Sequence, residues 1–223
     1  MELATFLNYS IKMKKTIITI IIFSCCTIVS FAQTNDTASK KKLQEISFDF
    51  CGFSSQILSK NIWGGNLDFK YYLKKKWALG ISFSGAQKSI TDTFGFSIKE
   101  PKIDYYEIGI INQYEVLQTT KMRLGFDINN GLIIARLGDN AYKERYGRGY
   151  QTKKIASNTL YMLQAGVNFS YRIIKANHQP DFYLISKLKY RLAAGSTQYA
   201  QPTDFTNLYF GIGVSLIGFS NYK

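Results

Sequence analysis

Between Trp77 and Gly85 the chain alternates strictly. Trp77, Leu79, Ile81 and Phe83 occupy the odd positions, and Ala78, Gly80, Ser82 and Ser84 the even ones. Period two of this kind marks a strand with one bulky face and one small face. The stretch before it repeats the pattern, with Leu67, Phe69, Tyr71 and Leu73 set against Asn66, Asp68, Lys70 and Tyr72. Eight such segments can be laid out, near 45–53, 65–73, 77–86, 102–116, 121–137, 159–173, 181–193 and 208–219. Their bulky faces together hold about forty positions, and in a chain that is 19% charged roughly seven or eight charges would fall there by chance. None does. A lipid-facing surface demands that exclusion, because Lys or Arg at the bilayer midplane costs about 2–4 kcal/mol.

The connections between segments add a rhythm. Lys74-Lys75-Lys76, Leu117 to Thr120 and Ile174 to Pro180 read as short; Ser54 to Gly64, Gln87 to Pro101, Gly138 to Asn158 and Ala194 to Asn207 read as long. Strict alternation of short and long turns around an even number of strands is the layout of a transmembrane barrel, with both termini on the short-turn, periplasmic side. Tyr71, Trp77, Tyr114, Tyr171 and Phe182 point outward beside the short turns, where amphipathic rings favour the headgroup level. The chain has only 3 prolines, which suits uninterrupted strands. No run of eighteen apolar residues lies outside the N-terminal region, so a polytopic helical membrane protein is excluded.

The opposite face reads as polar or small. It carries Asp49, Asp68, Glu107, Glu115 and Asp127 against Lys70, Arg123, Arg172, Lys187, Lys189 and Arg191. Charges inside a narrow lumen are tolerable only when paired and hydrogen-bonded, so these eleven are expected to form an internal ion-pair network.

The N-terminus reads as an export signal. Lys12, Lys14 and Lys15 precede an apolar stretch from Thr16 to Val29, and Ser30-Phe31-Ala32 offers a cleavage site before Gln33. Met13 is the expected natural start, and Ser24-Cys25 leaves a lipoprotein alternative open, weakened because the apolar run continues past that cysteine. The expected organisation is an extension and signal over 1–32, a polar leader over 33–44 and a barrel domain over 45–219. Cleavage removes Cys25 and Cys26, leaving Cys51 with no disulfide partner. The formal net charge of +13 would suit nucleic acid or an anionic membrane surface; export selects the membrane and excludes nucleic acid.

The final segment Leu208-Tyr-Phe-Gly-Ile-Gly-Val-Ser-Leu-Ile-Gly-Phe219, the lysine-rich turn after Tyr71-Tyr72-Leu73 and the signal ending Ser30-Phe31-Ala32-Gln33 carry a resemblance. From Ile46 to Phe219 the chain resembles small eight-stranded outer-membrane barrels of the OmpA/OmpX type, and in particular those common in Bacteroidota. The resemblance implies an all-β, antiparallel up-and-down barrel in the outer membrane of a Gram-negative bacterium.

Little in the sequence points to chemistry. His178, the 1 histidine of the chain, falls in a short turn away from any rim where a lipid hydrolase would need it. No His/Cys cluster has metal-ligand spacing, and Gly211-Ile-Gly213 lacks the rest of a dinucleotide motif. No catalytic, metal or cofactor site is therefore expected. The best functional candidate is the third long connection, where Tyr142, Lys143, Arg145, Tyr146, Arg148, Tyr150, Lys153 and Lys154 interleave with glycines. Tyr and Arg dominate binding hot spots, and this mixture suits an anionic partner such as lipopolysaccharide, or an unidentified surface or envelope partner. The expected role is non-enzymatic, in envelope integrity or surface interaction. The rivals are a narrow pore, disfavoured because eight strands leave an interior just filled by side chains, and a barrel lipid hydrolase.

Overall fold

The computed structural model describes residues 44–146, 149–175 and 180–220. They form a closed antiparallel ring of eight strands in chain order. These are β1 (Gln44–Ile57), β2 (Lys60–Lys74), β3 (Trp77–Ser89), β4 (Pro101–Gln118), β5 (Met122–Tyr146), β6 (Gly149–Ile174), β7 (Asp181–Ala194) and β8 (Asn207–Ser220). β8 returns to pair with β1, so no membrane-level edge is left unpaired. The only helical element among the described residues is one 3-10 turn, Pro202–Phe205. The expected signal peptide and most of the polar leader lie outside the described residues, as does His178.

The register fixes the barrel's geometry. From Tyr72, paired positions run through Ala78, Gln113, Asp127, Gly166, Lys189, Tyr209 and Ser55 and return to β2 at Ile62, ten residues along from Tyr72. A shear of that size on eight strands corresponds to strands tilted by roughly 35–45° around an interior that side chains can fill. Closing so narrow a ring forces strands together on the inside. At Gly213 an added Cβ would lie 2.0 Å from the Phe50 carbonyl oxygen, so only glycine fits there.

Alternation holds along every strand. Phe48, Phe69, Ile81, Ile110, Phe126, Phe169, Leu188 and Ile212 point outward and are exposed, while their neighbours Asp49, Asp68, Ser82, Ile111, Asp127, Asn168 and Lys187 are buried. All of the outward positions assigned from the sequence carry no charge and none is buried. On β4 the outward apolar band runs from Tyr106 to Val116, the length needed for a band about 25 Å tall.

Two of the four long connections differ from expectation. Ser54 to Gly64 is mostly strand, and β1 and β2 meet at a turn of two residues, Leu58 and Ser59, with φ of 53° and 58°. Two positive φ values define the type I′ hairpin turn, which normally advertises itself through Asn-Gly or Asp-Gly. Here the turn residues are ordinary, and the conformation is held by tertiary contacts: Leu58 N–H donates to the Asp204 carbonyl at 3.0 Å, and its side chain packs on the apolar core. The described residues of 138–158 are likewise strand. β5 and β6 continue through this segment as a two-stranded ladder as far as the pair Tyr146–Gly149, with register shifts near Leu137 and between Asp139 and Lys143. β4 stops pairing at Pro101–Asp139, and β7 at Tyr161–Ala194, so this hairpin extends past both neighbouring strands.

Candidate functional site

Because β7 sends Lys187, Lys189 and Arg191 inward in succession, it forms the spine of the interior. The charges are stacked in tiers. At the short-turn end Arg123 pairs closely with Glu45 and at 3.5 Å with Glu115, which also accepts from the Tyr72 hydroxyl at 2.5 Å. The Arg123 guanidinium lies over the rings of Tyr72 and Tyr183, 5.8 and 5.2 Å from their centroids. Arg172 stands apart at the rim and pairs with Asp181 at 3.0 Å.

The middle tier is centred on Lys187, which lies 2.9 Å from Asp49 and 2.5 Å from Asp68. Asp49 also holds Lys70 at 2.8 Å and accepts from the hydroxyls of Ser47 and Ser215. Asp68 accepts from Asn66 and Ser82, Lys70 donates to Gln113, and Lys189 pairs with Asp127 at 3.2 Å. All of these side chains are buried. Burying ions is costly unless their remaining lone pairs and protons are satisfied, and around Asp49 and Asp68 the serine and asparagine side chains supply that second layer.

In the upper tier Arg191, with no exposed surface, pairs with Glu107 at 2.6 Å. It also donates to the Phe205 carbonyl at 2.7 Å and to Ser55, and lies 5.3 Å from the Tyr105 ring centroid. Tyr105 and Gln164 donate to the same carboxylate. All eleven lumen charges expected from the sequence are thus ion-paired inside the ring or, for Arg172, at its rim. Glu45 and Asp181, each the first residue of its alternating segment, were not singled out from the sequence, although both have inward parity.

Above Arg191 the interior changes character, and the expectation of a polar or small lumen throughout is corrected. Phe53, Ile57, Ile62, Ile103, Ile133, Leu137, Leu160, Met162, Phe205 and Tyr209 fill the long-connection end as one buried apolar cluster. Phe94, Phe96, Ile98 and Tyr199 from the two remaining long loops pack onto it, Phe94 and Tyr199 with ring centroids 5.2 Å apart. These loop residues were not singled out as functional, although the alternating Phe94, Phe96 and Ile98 carried the signal. The cluster begins within the bilayer-facing band, where Ile133 and Tyr209 alternate with the outward Leu132, Leu208 and Phe210, and it is closed by exclusion of water from apolar surface. The rim is tied across: Lys99 and Glu100 N–H donate to Asp139, Ser157 N–H to Gln198, and Gln198 N–H to Asn158.

Of the residues proposed for surface binding, Tyr142 is 49% exposed and lies under the Lys99 ammonium, 5.3 Å from ring centroid to nitrogen. Lys153 and Lys154 are exposed on β6. Lys143, Arg145, Tyr146 and Tyr150 lie on the two strands of the extended hairpin, and their side chains, like Arg148, fall outside the described residues. Asp139, at the hairpin's base outside the membrane band, is a structural anchor. Burial pushes its carboxyl up, yet backbone N–H donors from Lys99, Glu100 and Ala141 outweigh that and hold it below its ordinary range.

A closed ring of eight strands with a charge-free outer face and a side-chain-filled interior defines an eight-stranded outer-membrane β-barrel fold. No protein-family model matches the chain, and no curated protein matches it. Solved structures do. The chain is similar to Neisserial surface protein A, with 10% identity and a TM-score of 0.51 over 78% of this chain and 95% of that one. A major outer membrane protein of Thermus thermophilus matches at 11% identity and a TM-score of 0.51, over 79% and 100%. The attachment invasion locus protein Ail of Yersinia pestis, solved with the heparin analogue sucrose octasulfate, matches at 16% and a TM-score of 0.45, over 78% and 97%.

Proposed function

We propose that this chain is a non-enzymatic outer-membrane protein of the Bacteroidota-like group its sequence resembles, serving in envelope integrity or surface interaction. One observation carries the reading: the lumen is closed by tiers of ion pairs and then by an apolar stopper beneath tied loops. Activity is thereby directed to the outside, where the β5–β6 hairpin extends past its neighbours. Its basic and aromatic residues suit the phosphates of lipopolysaccharide or an anionic surface partner. A cleaved signal over 1–32 would deliver the barrel to the outer membrane.

Planar-bilayer recording tests the sealed lumen. The purified protein should add no steady conductance; conductance altered by Lys187→Ser would transfer the function to the lumen. In parallel, replacing Lys143, Arg145, Arg148, Lys153 and Lys154 with Ser should leave the barrel folded, since the hairpin extends past both neighbouring strands, and weaken binding to lipopolysaccharide.

A further inference from the structure

The short-turn end of the barrel is a one-sided electrostatic surface. Its carboxylates among the described residues, Glu45, Glu115 and Asp181, are all engaged by Arg123 or Arg172. The turns between the strands carry Lys75, Lys76, Lys121 and Lys175, all exposed. Among the described residues no carboxylate pairs with any of these four. The opposite rim differs: there Asp92, Glu100, Asp104, Asp139 and Asp204 are mixed with the basic side chains. Both ends of the described barrel therefore carry net positive charge, and at the short-turn end every described carboxylate is already engaged by an arginine.

Height decides what this charge can meet. Three of the lysines adjoin a side chain on the bilayer-facing surface: Lys76 precedes Trp77, Lys121 precedes Met122, and Lys175 follows Ile174, which is 53% exposed. Short backbone bonds hold two of the turns against the next strand: Glu115 N–H donates to the Lys76 carbonyl, and Arg172 N–H to that of Lys121, both at 2.7 Å. Tyr71, Tyr114, Tyr171 and Phe182 occupy the same level facing outward. A cation one residue from the hydrocarbon boundary, within an aromatic belt, lies at the depth of lipid phosphates.

We infer that the short-turn rim is a binding surface for the anionic headgroups of phospholipids in the adjoining leaflet, with Lys75, Lys76, Lys121 and Lys175 as the phosphate-facing cations. The inference rests on the membrane-barrel reading above. It differs from that reading in placing a defined anionic partner at the end opposite the extended hairpin. A cell-wall polymer carrying carboxylates would instead be met by groups standing clear of the bilayer.

The test uses the purified protein in phosphatidylcholine vesicles carrying traces of spin-labelled phosphatidylglycerol or phosphatidylcholine. The protein-associated fraction of each label is read by electron spin resonance. A preference for phosphatidylglycerol of roughly fivefold per lysine engaged is the upper expectation. Changing the four lysines to Gln should abolish the preference, and changing them to Arg should retain it, with folding checked by heat-modifiable migration. Unchanged preference in the Gln variant would overturn the inference, as would a preference lost only on changing Lys60, Lys88 and Lys102 at the other rim. Lysine-dependent retention on insoluble peptidoglycan, with no lipid preference, would overturn it in favour of the cell wall. Failure to insert into vesicles at all would instead refute the membrane-barrel reading on which it rests.

Discussion

Lys187 shows what single residues do in this interior. It is the shared counter-ion of Asp49 and Asp68, and its side chain is 2% exposed. Lys187→Met removes one partner from a buried network and leaves carboxylates under-compensated, which costs about 3–5 kcal/mol. Urea unfolding from lipid vesicles should show that loss, and adding Asp68→Leu should recover part of it. Asp139 gives a pH dependence at the outer rim. Its folded-state pKa is depressed, so its contribution is present above the unfolded carboxylate value of about 3.9 and lost as pH falls through the folded value. Amide exchange at Lys99 and Glu100 should accelerate only under acid conditions in that window, and Asp139→Asn should remove the pH step. The charged residues of both examples were visible in the sequence as inward or loop positions. Their partners were not, because ion pairs such as Lys187–Asp68 join positions whose |i−j| is 119 and depend on ring closure and shear.

At the scale of the element, legibility followed the bilayer. Where strands cross lipid, one face must exclude charge, and alternation in Trp77 to Gly85 located β3 to within a few residues. Beyond the membrane that pressure disappears, and β5 and β6 run on through Gly138 to Asn158 in a segment whose Gly, Asn, Asp and Lys content reads as loop. The Leu58–Ser59 turn was hidden for a different reason, since its residues lack turn chemistry and are held by Asp204 and the core. The face assignment makes a contrast. Ile81→Arg and Val167→Arg should each impair insertion by about 2–4 kcal/mol, read as loss of the heat-modifiable folded band. Ser82→Arg crowds the lumen and also removes the hydroxyl that donates to Asp68 at 2.6 Å. It should therefore be at least as damaging, and tolerance of Ser82→Arg would refute the packing described for the middle tier.

For the whole molecule, the two halves of the interior are closed by different forces. The lower half is held by charges too deeply buried to be screened much by added electrolyte. The stopper around Phe205 and Leu160 is held by exclusion of water from apolar surface, a driving force that weakens on cooling and yields to pressure. The two seals therefore have separate failure conditions. In the cold the outer end should loosen first, admitting solvent down to Arg191, while the tiers around Asp49 and Asp127 stay shut. A vessel with one seal of oil and one of ions is watertight over a wider range of climates than a vessel with two of either kind.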